Sequence, residues 1–153
     1  MSTPSPDLPQ FQLGSIDQIS FAVRSVDDAA PRYAAMFGGP IRTLDVPGLD
    51  VVVGGQESTT DLRLGFGRTG DIEVELVEVV SGLWPTLPWL DEHGEGLHHL
   101  RYPVDDVAAS RAEMEAAGFD VIMESRGPVS FVYLSSPLLN GMTVELVPSS
   151  LRS

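Results

Sequence analysis

Hydrophobic and polar side chains alternate in two similar stretches of this chain, one near the beginning and one past the middle. The first covers residues 16–23 and the second residues 97–104. A period of two is typical of a β-strand that is apolar on one face and polar on the other. Each stretch runs into a segment that contains aspartate and then apolar residues at helical spacing, which predicts a helix after each strand.

The segments that follow have the same order in both halves of the chain. Helices are predicted for residues 27–37 and 106–117, and glycines directly after both segments are expected to end them. The other predicted strands are 41–46, 49–53, 61–66 and 72–79 in the first half, and 119–124, 131–135 and 142–147 in the second. The sequence therefore predicts a β-α-β-β-β unit that occurs twice.

Two correspondences support this duplication. Gln18 and His99 occupy equivalent positions of the two leading strands, and the tetrapeptide Val-Glu-Leu-Val occurs at residues 74–77 and again at 144–147. We therefore expect an α+β fold made of two tandem βαβββ modules.

A segment with two tryptophans and two prolines separates the halves, and its proline content argues against a central strand. Its aromatic side chains are compatible with simple burial, with the roof of a pocket, or with contact to a partner. The expected organisation is a flexible tail (1–14), a single domain (15–148) divided into module one (15–80), linker (81–94) and module two (95–148), and a short C-terminal tail (149–153).

The composition excludes several classes of function. The net charge of −13 argues against nucleic acid and anionic membranes as partners. The chain has no cysteine, no membrane-length apolar run and no signal-peptide pattern, so we expect a cytoplasmic protein with no membrane partner. We also expect a homodimer. An anionic substrate would need help from Arg24, Arg63, Arg101 or Arg126.

Four polar residues occupy matched mid-strand positions on the face of each module that is not needed for packing against its helix. Burying such groups without partners would cost several kcal/mol. Two carboxylates, an imidazole and an amide oxygen suit one divalent cation, with Zn, Ni, Co and Mn all compatible. The alternative is a solvent-facing sheet with scattered polar residues. The four candidate ligands are Gln18, Glu75, His99 and Glu145.

Three motifs make the chain resemble the glyoxalase I / vicinal oxygen chelate superfamily. They are residues 16–23, the Gly-Glu-Gly-Leu-His-His motif at 94–99 and the Val-Glu-Leu-Val motif at 144–147, and they are most similar to the methylmalonyl-CoA epimerase-like branch. The resemblance covers residues 15–148. It implies the glyoxalase/bleomycin resistance fold, in which mixed sheets form an open cup around one divalent metal, and it places the ligand positions on the same four residues.

The ligand set departs from the epimerase-like pattern. Those proteins usually have histidine where this chain has Gln18, and the order Gln, Glu, His, Glu is familiar from zinc-type glyoxalase I. The arginines that help glyoxalase I to hold glutathione are replaced here by Ala22 and Glu95. Members that use oxygen and ferrous iron need two histidines and one glutamate, and the single histidine of this set argues against that chemistry.

The resemblance implies a divalent-metal-dependent isomerase or epimerase. Such an enzyme shifts a proton next to a carbonyl that is chelated to the metal, through an enolate or enediolate. The expected substrate is a small carbonyl compound, with a coenzyme A thioester as one candidate. The alternatives are a glyoxalase-type lyase that acts on a thiol adduct and a non-catalytic protein that binds a small molecule. Binding members of the superfamily typically lack the metal ligands that this chain retains.

The resemblance also assigns the proton-transfer groups. Glu145 is the expected base, and Asp61 is the nearest match to the second acid or base of the epimerases. The apolar residues that alternate with Asp61 should pack on the core side, which would turn Asp61 towards the cup. Glu73 lies on the face of Glu75 and is the alternative second group.

Three further residues are candidates for binding substrate. Arg63 should face the cup together with Asp61, and Arg101 shares the face of the second-module histidine ligand and could bind a substrate carboxylate. Trp84 is the candidate for a pocket wall. We assign His93 and His98 to structural roles.

Overall fold

Residues 12–153, which the computed structural model describes, form eight β-strands and three α-helices. Most of the tail predicted for residues 1–14 lies outside the described residues. None of the described helices has the length and apolar character needed to cross a membrane. In chain order the elements are β1 (Gln18–Ala22), α1 (Val26–Phe37), β2 (Arg42–Val53), β3 (Gln56–Thr69), β4 (Ile72–Ser81), α2 (Thr86–His93), β5 (Gly96–Val104), α3 (Val107–Ala116), β6 (Asp120–Ser125), β7 (Val132–Ser135) and β8 (Thr143–Pro148).

The strands form one closed barrel in the order β1-β4-β3-β2-β6-β7-β8-β5. In each module the first and last strands pair in parallel, β1 with β4 and β5 with β8, and the remaining neighbours are antiparallel. The modules join at both edges, through the antiparallel pairs β1–β5 and β2–β6. The predicted α+β fold of two βαβββ modules is confirmed, and the cup is closed into a ring.

The apolar side chains form three separate clusters. One lies between α1 and the outer face of β1 and β4, and a second lies between α3 and the outer face of β7 and β8. The third fills part of the barrel interior and includes Leu62, Leu64, Val77 and Trp84. Both faces of the sheet therefore bury apolar groups, although the sequence interpretation had assigned such groups to the helix-covered face alone.

The segment between the modules, which the sequence predicted as a linker, contains a helix. Pro85 is the N-cap of α2, and Pro88 lies in its first turn. A proline at these positions removes an N–H that has no partner inside the helix, so it does not disrupt the helix. Gly94 ends α2 at a φ of 79°, a value that favours glycine.

Candidate active site

The interior face of the barrel carries a row of polar side chains from four strands. The strand register places Gln18 on β1 beside Arg101 on β5, Arg101 beside Glu145 on β8, and Glu145 beside Tyr133 on β7. A second row on the same face pairs Ser20 with Glu75 on one side and with His99 on the other. The four predicted ligand positions therefore lie on one face, two from each module.

A cavity of about 110 Å³ opens where these rows meet the apolar cluster inside the barrel. Its polar wall contains two carboxylates, one guanidinium and one phenol, and the rest of its wall is aliphatic or aromatic. The lining residues are Leu49, Leu62, Leu64, Glu75, Val77, Trp84, Arg101, Phe131, Tyr133 and Glu145. The cavity is thus lined on one part of its wall by groups that can exchange protons and on the rest by apolar side chains.

The amide of Gln18 is held in one orientation. Its Nε2 donates a hydrogen bond of 2.7 Å to Oε1 of Glu73, and the side chain is buried. Its Oε1 is also buried, without a hydrogen-bond partner among the described residues. Because a carboxylate accepts only from the NH₂ side of the amide, Oε1 is the atom left to meet another donor or a cation.

Burial and the charge of Glu145 raise the pKa of Glu75 from 4.5 to about 7. His99, Arg101 and a hydrogen bond of 2.8 Å from the Oγ atom of Ser20 act in the opposite direction. The two carboxylates therefore repel each other inside the barrel, and a proton or a cation near them lowers the energy of the pair.

The ring of His99 is buried between two groups. Its Nε2 lies 3.2 Å from Oε1 of Glu145, and its Nδ1 lies 2.9 Å from Nδ1 of His98. Burial, together with the neighbouring histidines, lowers the pKa of His98 to about 3, so this ring is neutral at pH 7. The structural role expected for His98 thus includes direct contact with the candidate ligand.

Two tautomeric arrangements satisfy the pair of histidines. If His98 donates from Nδ1, the hydrogen of a neutral His99 is on Nε2 and is donated to Glu145. If His99 donates from Nδ1, its Nε2 carries a lone pair that can bind a cation. The contact between the Nδ1 atoms thus connects the protonation of His99 Nε2 to the tautomer of His98.

Arg101 faces the interior as expected, but it is already paired. Its Nε and Nη2 donate to both carboxylate oxygens of Asp17, at 2.9 and 2.7 Å, and its Nη2 lies 4.0 Å from Glu73. Burial alone would raise the pKa of Asp17, but Arg101 and the backbone and hydroxyl of Ser153 hold it below its usual value. This pair ties β5 to the residue before β1 and to the end of the described chain.

The expectation that Asp61 and Arg63 face the cup is wrong. Asp61 accepts hydrogen bonds from the backbone N of Gly48 and from Ser81, and Arg63 binds Asp27 and Asp45 on the outer surface. Neither residue lines the cavity.

The reason for this inversion is a close approach on the outer face of β3. A Cβ atom at Gly65 would lie 2.9 Å from Ile41 and 3.2 Å from Val26 at the start of α1, so only glycine fits without a shift. The apolar side chains of β3 occupy the alternating positions, which face the barrel interior. Leu62 and Leu64 therefore line the cavity where Asp61 and Arg63 were expected.

Three aromatic residues form part of the cavity wall. The Trp84 ring contacts Phe131 at a centroid distance of 6.1 Å and Tyr133 at 5.9 Å. Trp84 lines the cavity, as expected of a pocket residue. Tyr133 was missed by the sequence interpretation. It lies beside Glu145 in the strand register, and its ring centroid is 4.5 Å from that of His99. Burial, together with the charges of Glu145 and Glu75, raises the pKa of Tyr133 well above its usual value.

The chemistry of the donor atoms suits a divalent cation, but their spacing in this structure is not that of a formed metal site. Among residues 12–153, no group of three or more His, Cys, Asp or Glu side chains has the arrangement of a metal site. The unpartnered Oε1 of Gln18, the imidazole of His99 and the two mutually repelling carboxylates are nevertheless oxygen and nitrogen donors of the kind that bind Zn, Ni, Co or Mn. The donor set therefore fits a metal in its chemistry.

Residues 17–133 match the model of the Glyoxalase/Bleomycin resistance protein/Dioxygenase superfamily. The chain belongs to this superfamily. The match includes β1 to β6 and the first residues of β7, and so most of both modules of this superfamily domain. No curated protein matches the chain.

Solved structures with the same superfamily fold include methylmalonyl-CoA epimerases. A variant of the Streptomyces coelicolor epimerase in complex with 2-nitronate-propionyl-CoA is 24% identical, with a TM-score of 0.65, and the match covers 93% of this chain and 99% of that chain. The Mycobacterium tuberculosis epimerase is 17% identical, with a TM-score of 0.62 and coverage of 87% and 86%. The hypothetical protein BH1468 of Bacillus halodurans C-125 is 21% identical, with a TM-score of 0.62 and coverage of 88% and 93%. At these identities the similarity supports the fold.

Proposed function

We propose that this protein is a divalent-metal-dependent isomerase or epimerase that moves a proton at a carbon next to a carbonyl. The observation that carries the proposal is the position of Glu145, which lines the cavity beside Glu75 and contacts His99. A buried carboxylate at the edge of a cavity is suited to remove a proton from a bound carbonyl compound. The fold of the solved epimerases agrees with this reaction class.

Gln18, Glu75, His99 and Glu145 are the residues that would hold the metal. A bound divalent cation would polarise the substrate carbonyl and stabilise the negative charge that develops on its oxygen. Two features of the chain support these donors: Gln18 Oε1 has no partner among the described residues, and two modules each contribute two side chains to one face. A coenzyme A thioester is a candidate substrate, since solved relatives include a complex with a coenzyme A derivative.

Epimerisation needs a second group that returns a proton on the opposite side of the carbon. Asp61 is excluded by its position outside the barrel, and Glu73 is bound to Gln18 and does not line the cavity. The cavity wall contains two further proton-bearing groups, Glu75 and the phenol of Tyr133. The phenol of Tyr133 carries its proton at neutral pH, as phenols ordinarily do, and its pKa is raised further by burial, so the protonated group can donate a hydrogen bond or a proton to an enolate.

The test is solvent deuterium incorporation into a panel of 2-substituted malonyl thioesters and α-hydroxy ketones, with metal content measured on the same samples. We expect incorporation by the metal-loaded protein and a loss of 10²-fold or more in Glu145→Gln at equal metal occupancy. Tyr133→Phe should retain exchange and lose inversion if the phenol is the second group. Asp61→Asn is the matched control and should behave as wild type. No incorporation into any panel member would overturn the proposal.

A further inference from the structure

The charges and the apolar wall of the barrel cavity together indicate a class of substrate. We infer that the cavity takes the acyl part of a neutral carbonyl compound, such as a branched 1,3-dicarbonyl or its ester or thioester, and disfavours one with a free carboxylate. The inference deepens the proposed function, because it takes the same cavity as the substrate site.

The cavity offers no unpaired positive charge to a substrate carboxylate. Among its described lining residues the only cation is Arg101, which donates two hydrogen bonds to Asp17 and lies 4.0 Å from Glu73. Two carboxylates therefore surround one guanidinium. The carboxyl groups of Glu75 and Glu145 line the same cavity and add to its acidic character.

A divalent cation bound at the proposed site would reduce the negative charge of the cavity wall without reversing its sign. Its two positive charges would be balanced by the carboxylates of Glu75 and Glu145, which are its proposed ligands. The pair formed by Arg101 and Asp17 is neutral, and Glu73 leaves a net negative charge beside it. Apart from direct coordination to such a cation, a bound anion would therefore meet repulsion at short range.

The remaining surface of the cavity suits an apolar group. Seven of its ten lining residues are apolar or aromatic, and they come from β2, β3, β4, β7 and the segments beside α2 and β7. The ring of Trp84 contacts the rings of Phe131 and Tyr133, and the three form one aromatic part of the wall. Burying an alkyl or aryl group there is favourable by about 25 cal/mol per Å² of apolar surface. At about 110 Å³, the cavity accommodates a short branched acyl group and excludes large ring systems.

A matched pair of probes tests the inference. Ethyl 2-methylacetoacetate and monoethyl methylmalonate have nearly the same shape, but the second carries a carboxylate where the first has a methyl ketone. Binding of both to the protein as purified is measured by titration calorimetry at pH 7. We expect the neutral probe to bind about 10-fold more tightly or better. Equal or tighter binding of the anion, or no millimolar binding of either probe, would overturn the inference.

Variants test the two parts of the inference separately. Asp17→Asn removes the charge that neutralises Arg101, and it should raise the affinity for monoethyl methylmalonate about 10-fold with little change for the neutral probe. Leu49→Ala removes part of the apolar wall at a half-buried position, and it should lower the affinity for the neutral probe about 5-fold. Glu113→Gln, which makes the same charge change on an exposed helix surface, should alter neither affinity. The absence of both variant effects would also overturn the inference.

Deuterium exchange at C2 of each probe separates this inference from the proposed function. Selective binding of the neutral probe without exchange catalysed by the metal-loaded protein supports the inference and counts against the isomerase. Preferred binding and catalysed exchange of the anionic probe support the isomerase and overturn the substrate class.

Discussion

The Nδ1 atoms of His98 and His99 lie 2.9 Å apart inside the protein, so one of these rings must donate its hydrogen to the other. Backbone alternation places adjacent residues of a strand on opposite faces, and the sequence therefore assigned the two histidines different roles. The contact instead makes the outer ring a hydrogen-bond partner of the inner one. A histidine that binds a metal commonly has such a partner, which fixes its ring and its tautomer.

Replacement of each histidine in turn should therefore give three different results. His99→Ala removes the only imidazole of the proposed site and should abolish high-affinity metal binding. His98→Ala should weaken metal binding about 10- to 100-fold, because the orientation of His99 is no longer fixed. His93→Ala is the control, because His93 is exposed. Metal affinity is measured by titration calorimetry with Zn²⁺ or Co²⁺, and wild-type affinity in His98→Ala would contradict the positioning role.

Removal of the carboxylate that holds Gln18 should also lower metal affinity. Glu73→Gln replaces an acceptor of the Nε2 hydrogen bond by an amide, which allows the Gln18 side chain to rotate and to present Nε2 in place of Oε1. We expect metal binding about 10-fold weaker or more, with nearly unchanged thermal stability. Glu113→Gln is the control for the change in charge. A variant with unchanged metal affinity would show that Gln18 does not depend on this contact.

The raised pKa of Glu75 predicts a specific dependence of stability on pH. The folded value of about 7 exceeds the ordinary 4.5, so between these pH values the folded protein binds more protons than the unfolded chain. The free energy of unfolding therefore falls as pH rises from about 4.5 to 7, by up to about 3 kcal/mol from this group. Urea unfolding with a chelator present should show this fall in wild type and its reduction in Glu75→Gln. Identical slopes in both proteins would contradict the assignment.

Loss of the buried partner of Asp17 should be strongly destabilising. Arg101→Met leaves the Asp17 carboxylate, which is 3% exposed, without its two guanidinium hydrogen bonds. We expect a loss of about 3–5 kcal/mol in the free energy of unfolding. The control is Arg32→Met, which breaks an ion pair with Glu95 whose side chains are 60% and 29% exposed, and it should cost less than about 1 kcal/mol. Equal losses in the two variants would show that burial does not set the strength of the Asp17–Arg101 pair.

The fold was largely predictable because the alternating pattern and its repetition depend on local sequence. The tetrapeptides at residues 74–77 and 144–147 lie in the last strand of each module, as the duplication required. Alternation along β1, β5 and β8 also placed Gln18, His99 and Glu145 on one face, and the register of these strands agrees. Their role as metal ligands stays a prediction.

The positions that were not predicted depend on contacts between distant segments. The face of β3 is decided by the approach of α1 and Ile41 to Gly65, and an alternating strand is equally regular with either face inward. A glycine within the pattern was the available sign that another segment packs against that side. The pairing of Arg101 with Asp17 depends on the register of β1 and β5, which the sequence of either strand alone does not specify. Tyr133 joins the site because β7 pairs with β8.

The closed ring has a consequence for how this chain folds. Each module has two edge strands whose second neighbour belongs to the other module: β1 pairs with β5, and β2 pairs with β6. Such pairings between sequence-distant segments require large loops to close first, which makes folding slow compared with that of helical proteins of similar length. During synthesis, the first module leaves the ribosome before β5 and β6 exist. Its unpaired strand edges are then exposed to association with other chains. This exposure ends when the second module closes the ring.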